Sequence, residues 1–252
     1  LNPFKIVLDS VARLGDYLNM FKTEIPTEKG EQTRRTIFEG ALELFRRKGF
    51  DATTMREIAA QAHVALGAAY YYFPSKEAII QAYYQAVQAE HNRLVDEGLA
   101  SGRLDLKGRL RLAMNSKLNI LQQDRKLLGV VFRYTGEPEH PLSCLGPATE
   151  QTRRESIEVF SRAIGDERIP ADLRQLLPVA LWALQMGSLI MFIYDDSAQQ
   201  WRTRRLVDGA IELTVRLLSL TKNPILKPVR TKVLELLREV KLIPKFEIAV
   251  EK

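Results

Sequence analysis

One cysteine, Cys144, among 252 residues excludes an intrachain disulfide, fits a reducing compartment and points to a cytoplasmic location. The three histidines, His63, His91 and His140, stand far apart and in none of the spacings that ligate zinc. No glycine-rich phosphate loop or nucleophile elbow occurs. His140, four residues before Cys144, is the sole hint of thiol chemistry, and closeness in sequence is not diagnostic of a Cys–His pair. No enzyme, catalytic residue, cofactor or metal is therefore expected. The charge excess is also small, +6 overall, with 8 basic against 7 acidic residues over 28–84 and 8 against 4 over 222–252. Any anionic partner of the first region must be held by placed groups and not by bulk charge.

Long apolar runs are scarce. Residues 1–21 mix Lys5, Asp9, Arg13 and Asp16 into their apolar positions and do not read as a secretory leader. Pro178–Tyr194 is the most lipid-like stretch, but it falls short of a bilayer span and carries Gln185 and Ser188. A buried core or interface helix is expected there, and no membrane partner. Period-two alternation between hairpin turns is missing throughout.

What the chain does have is helical periodicity almost everywhere, and 46% hydrophobic residues supply a substantial core. The expected fold is all-α, with helices over 3–22, 31–48, 54–61, 65–72, 76–100, 106–124, 126–134, 148–164, 171–177, 178–195, 201–221 and 229–242. Pro26, the Gly98–Gly102 region, the Gly136–Pro147 stretch, Pro170, Pro178 and the Pro224–Pro228 segment mark the expected breaks. Thr54 followed by Glu57 has capping-box spacing before Ile58 and Ala59. Ala62-His63-Val64 then separates that short helix from the next. A long amphipathic helix carrying Ile37, Ala41, Leu44 and Phe45 precedes both, which is the helix-turn-helix plan.

The run TTMREIAAQAHVALGAAYYYFPSKEAII at 53–80, extended back through RRTIFEGALELFRRKGF at 34–50, resembles the DNA-binding signature of the TetR (tetracycline-repressor-like) family. Four regions follow: an extension helix in 1–26, a helix-turn-helix domain in 27–81, a ligand-binding and dimerisation body in 82–222, and a second extension helix in 223–252. A recognition helix must bury one face and offer the other to the major groove. Val64, Ala69 and Phe73 suit burial; Leu66, Gly67, Ala68, Tyr70 and Tyr71 are candidates for the DNA side. The resemblance adds Thr54, Arg56, Tyr70 and Lys76 as phosphate donors. Tyr72 is expected in the core. His63 stands where the family has glycine, and Ala65 and Leu66 replace its polar residues. Readout is thus expected through thymine methyls, tyrosine hydroxyls and DNA shape, with an A·T-rich target.

The family resemblance further implies a palindromic double-stranded operator, a homodimer through helices 178–195 and 201–221, and an effector cavity in the body. Leu118, Leu121, Phe132, Trp182, Met186 and Phe192 are the candidate lining, suited to a small hydrophobic molecule. Regulation, with repression as the family's commonest mode, would follow a population shift carried by helix 76–100. A DNA-binding dimer without effector, acting through a protein partner or as an architectural factor, is the alternative. In the extensions, Phe4, Val7, Val11, Leu14, Leu18 and Phe21, and Val229, Val233, Leu236, Val240 and Ile243, follow three-four spacing and need partners, on each other or across the dimer. A basic tail on phosphates or an acidic membrane surface is a weaker option for the C-terminus.

Overall fold

Glu28 and Glu31 in the first turn of helix α1 (Glu28–Lys48), and Arg46, Arg47 and Lys48 in its last, complement the helix dipole at both ends. Ile37, Phe38, Ala41, Leu42, Leu44 and Phe45 form its buried stripe. The chain leaves α1 through Gly49, whose φ of 92° a side chain would resist. The computed structural model describes residues 28–137 and 139–220, together with 228, 231, 232, 235, 236 and 239. The helix expected over 3–22 lies outside these residues. Of the one expected over 229–242, the described positions are helical and exposed.

Two short helices, α2 (Met55–Gln61) and α3 (Leu66–Tyr72), pack on α1 and close the head. Helix α4 (Lys76–Ala100), capped by the Ser75 hydroxyl accepting from the Ala78 N–H at 3.2 Å, runs from the head into the body. There it packs against α5 (Leu106–Leu121) and α7 (Glu150–Ile164). The short α6 (Arg125–Val131) touches both α1 and α8 (Ala171–Tyr194), and α9 (Trp201–Leu220) lies along α5 and α8. Short 3-10 turns at 122–124, 132–136, 147–149 and 198–200 join the body helices. Among the described residues there is no strand, and the fold is all-helical as the periodicity requires.

Pro178 does not end a helix: 171–177 and 178–195, expected separately, are one helix with the proline inside. An interior proline costs about 3 kcal/mol, but Pro178 is buried, and the apolar helix packs on α5, α6, α7 and α9 along its length. That contact outweighs the lost backbone bond. The join also changes the length argument, because Leu173–Tyr194 spans 22 residues at mean hydropathy 2.0 and is long and apolar enough to cross a membrane. In this fold it instead packs four helices and buries Gln185 and Ser188.

Candidate nucleic-acid interface and ligand cavity

The head's turn geometry follows from its sequence. Thr54 caps α2 by accepting from the Glu57 N–H at 3.3 Å, while the Glu57 carboxylate accepts from the Thr54 N–H at 2.9 Å. Lys48, together with these Thr54 donors, holds the Glu57 carboxyl at about 2. The following turn passes through His63 at φ 54°, so the backbone does enter the left-handed region without the glycine that would relieve it. Ala65 begins α3 without a side-chain cap.

Ala69 and Phe73 bury the inner face of α3, Val64 and Tyr72 pack partly against the core, and Ala68 is half-buried. Outward stand Leu66, Tyr70 and Tyr71, at 37%, 49% and 63% exposure, with Gly67 open beside them. A Cβ built on Gly67 would meet nothing within 4 Å, and its φ is not positive. Glycine inside a helix costs about 0.5–1 kcal/mol against alanine, yet no contact among the described residues asks for it. Thr54 and Arg56 are exposed on the same head. Lys76, expected as a phosphate donor, also has partners within the head: its ammonium donates to the carbonyls of Phe50 at 2.8 Å and Asp51 at 3.3 Å and lies 4.6 Å from the Phe50 ring centre. Those turn carbonyls draw the cation inward.

Two polar links fasten head to body. Asp124, at the start of α6, accepts from Arg46 of α1 at 2.6 Å and from the buried Tyr83 hydroxyl of α4 at 2.8 Å. Burial and the Asp124 charge push the Tyr83 phenol well above its ordinary range. Asp51, in the turn between α1 and α2, accepts from Arg133 at 2.5 Å and from the Tyr134 hydroxyl at 2.8 Å. The Tyr134 and Arg133 hydrogen bonds hold the Asp51 carboxyl below its usual range. Tyr134 in turn stacks on His140 with ring centres 4.2 Å apart.

Between α4, α5, α7 and α8 lies a cavity of about 690 Å³, mouth included. Tyr83, Tyr84, Val87, Leu121, Leu128, Phe132, Trp182, Met186 and Leu189 give it an apolar wall, and Lys117, Thr135, Cys144, Thr149, Thr152, Arg153 and Ser156 supply the polar groups. Four of the expected residues, Leu121, Phe132, Trp182 and Met186, meet there. Leu118 and Phe192 do not, being fully packed elsewhere in the core. At about 100° of helical turn per residue, Leu118 sits a quarter-turn from the Lys117–Leu121 side, and Phe192 falls off the 182–186–189 stripe and under Arg125.

Lys117 was not foreseen. It is 5% exposed, and burial lowers its ammonium to about 7. Burial likewise raises the Cys144 thiol, and His140 is engaged by the Tyr134 ring and the Leu142 N–H, so nothing pairs them as a nucleophile and base. Among the described residues no three of His, Cys, Asp and Glu cluster as a metal site.

Helices α8 and α9 each carry an apolar face that the other described residues leave open. On α8 the small residues Ala180, Ala183 and Gly187 continue into Ile190, Met191 and Tyr194; on α9, Leu206, Leu213, Leu217 and Leu220 form one exposed stripe. The opposite side of α9, with Thr203, Val207, Ile211 and Leu218, packs inward.

Residues 37–83 match the family described as bacterial regulatory proteins, tetR family, and residues 109–236 match the tetracyclin repressor-like C-terminal domain. An HTH-type transcriptional repressor, KstR, of Rhodococcus jostii is 26% identical over 77% of this chain and 86% of its own length. An uncharacterized HTH-type regulator of Bacillus subtilis, YuxN, is 44% identical over 50 residues, which are 20% of this chain and 17% of that protein. Among solved structures, a regulator of Syntrophomonas wolfei assigned to the TetR family superposes with a TM-score of 0.58 at 20% identity, covering 72% of this chain and 94% of that one. The regulator FadR of Bacillus subtilis, in complex with stearoyl-CoA, gives 0.51 at 16% identity, covering 70% and 96%.

Proposed function

The chain belongs to the tetR family of helix-turn-helix transcriptional regulators, and from that premise we propose that it is a cytoplasmic, homodimeric repressor released from a palindromic operator by a small effector. The observation that carries the DNA side is the outward face of α3. It presents Tyr70, Tyr71 and Leu66 to solvent around a glycine that no contact among the described residues explains. In this reading Gly67 and Ala68 let the backbone approach base edges, Leu66 touches thymine methyls, and Tyr70 and Tyr71 reach bases or phosphates. Thr54 and Arg56 add phosphate donors. Lys76 acts mainly by holding the turn that carries them, with one ammonium N–H left for phosphate.

Pairing two half-sites needs a dimer. The open apolar faces of α8 and α9 support one formed through those helices, with the small residues of α8 permitting close approach. The effector would occupy the cavity in the body; the Bacillus subtilis neighbour of like fold holds stearoyl-CoA. Coupling then has a physical route. Tyr83 lines the cavity and bonds Asp124, which grips Arg46 of the head, while Phe132 and Thr135 flank the Arg133–Tyr134 pair that grips Asp51. A ligand that binds better when these links are displaced lowers operator affinity by that difference.

Gel shifts on DNA upstream of the protein's own gene, at stated salt, test this reading. Tyr70→Ala should weaken saturable binding about 10- to 100-fold, the scale of one lost base or phosphate contact. The double variant Leu213→Arg, Leu217→Arg should sediment as a monomer and lose about 100- to 10,000-fold in operator affinity, the worth of linking two half-sites. A wild-type protein that is monomeric, or a folded dimer that binds no such DNA at any salt, refutes it.

A further inference from the structure

Four partly buried arginines pair with carboxylates: Arg46 with Asp124, Arg93 with Glu90, Arg109 with Glu167 and Arg111 with Asp208. Lys117 does not. It is the most deeply buried of these cations, and among the described residues no carboxylate pairs with it. Its ammonium donates to Gln88 Oε1 at 2.6 Å and, weakly, to Ser156 Oγ at 3.5 Å. Gln88 Oε1 is already shared, since the Ser156 hydroxyl donates to it at 2.6 Å. Glu155 on α7 acts on Lys117 only through its field, and the neighbouring His91 is held neutral by burial and by Lys117 itself. Three donors thus have one good neutral acceptor, at a position where a buried ammonium requires a counter-charge.

That ammonium forms part of the cavity wall. Its companion cation there, Arg153, donates to the backbone oxygens of Cys144 and Gly146 at 3.0 and 3.2 Å, again without a carboxylate. Among the described residues no aspartate or glutamate lines the cavity. The remaining wall is apolar, dominated by Trp182, Met186, Leu189, Leu121 and Leu128. A neutral hydrophobic ligand would leave the cation uncompensated, and a cationic one would be repelled.

We propose that the effector is a small amphipathic anion, an aryl- or alkyl-carboxylate, whose carboxylate enters the cavity and pairs with Lys117. This deepens, and rests on, the reading of the cavity as an effector site. The carboxylate accepts from Lys117 and from the Ser156 hydroxyl, and the apolar body lies along Trp182 and Met186. Binding draws Lys117 away from Gln88. Gln88 belongs to α4, the helix whose first residue, Lys76, holds the turn of the DNA-binding head. The anion therefore acts on the element that connects the two domains.

The experiment is calorimetric titration of the full-length protein with phenylacetate, 4-phenylbutyrate and octanoate, each beside its neutral amide and its primary amine. In parallel, release of operator DNA by each compound is followed. In the best-fitting length the acid should bind about 10- to 100-fold tighter than the amide, the scale of a buried charge-assisted hydrogen bond, and the amine weakest. Lys117→Met should bind acid and amide alike, with amide affinity changed less than about threefold. Ser156→Ala should narrow the acid preference without abolishing it. If Lys117→Met fails to fold, the acid-to-amide ratio in the wild type decides alone. Equal binding of acid and amide, tighter binding of the amine, or an acid preference that survives Lys117→Met overturns the proposal. Amides that still release DNA would then leave the effector reading standing. If no member of the series binds at any length, the carboxylate proposal falls, while the effector reading, which names no ligand chemistry, stands.

Discussion

The recognition helix and the effector cavity depart from the usual distribution of residues in opposite directions. On α3, a leucine and two tyrosines face water around an exposed glycine; in the body, an ammonium sits among apolar walls. Each arrangement is unfavourable for the isolated chain, the first by leaving apolar area hydrated and a helix weakened, the second by desolvating a charge. What they share is that an outside molecule would remove the cost: DNA would cover the tyrosines and approach Gly67, and an anion would neutralise Lys117. Local instability of this kind is more informative than conventional core packing, because the fold itself gains nothing from it.

Replacing Lys117 should give the largest gain in stability. Lys117→Met exchanges a buried cation for an apolar side chain of similar reach, and at pH 6 should stabilise the ligand-free protein by on the order of 1–4 kcal/mol in chemical denaturation. The pH dependence has a definite sign. Lys117 titrates at about 7 when folded and at its ordinary 10.5 when unfolded. Below about 7 both states carry the proton and the burial cost is full. Between there and 10.5 the unfolded state binds more protons, so wild-type stability rises with pH and the advantage of the variant shrinks. An advantage that grows on going alkaline would show that the cation is paired after all.

His63→Gly sharpens the comparison from the side of structure. It should stabilise the protein by about 1 kcal/mol by removing the left-handed strain, with operator affinity unaltered, because the exposed His63 turn is distinct from the outward face of α3. Smallest in stability, and opposite in sign for function, is Gly67→Ala: a gain of about 0.5–1 kcal/mol in folding with weaker operator binding in gel shifts. Unchanged binding would mean that the backbone of α3 does not come close to DNA.

Much of the head was legible because its determinants are local. The Thr54–Glu57 box, the Gly49 turn and the period of Ile37, Ala41, Leu44 and Phe45 each specify a helix end or face within a few residues, and α1 to α4 form close to where that pattern predicts. The turn contacts of Lys76 are not legible locally, since its partners, Phe50 and Asp51, lie 26 and 25 residues away. The body was harder. Pro178 looked like a helix end by its own chemistry and is overridden by contacts with four other helices. Lys117 interrupts the apolar positions Ala113, Met114, Leu118 and Leu121 of α5, a signal present in the sequence, but only packing turns it from a snorkelling surface lysine into a buried one.

Sequence alone determined the fold class, the helix-turn-helix and its outward residues, for helix periodicity, caps and turns are encoded by near neighbours in the chain. Tertiary structure alone decided which apolar residues enclose the cavity, that α8 runs unbroken, that the stripe of Leu206, Leu213 and Leu217 faces outward, and that Lys117 has no carboxylate partner among the described residues. Those depend on how helices distant in sequence are rotated against one another, and a rotation of one residue, about 100°, is enough to move a side chain from a cavity wall into the core.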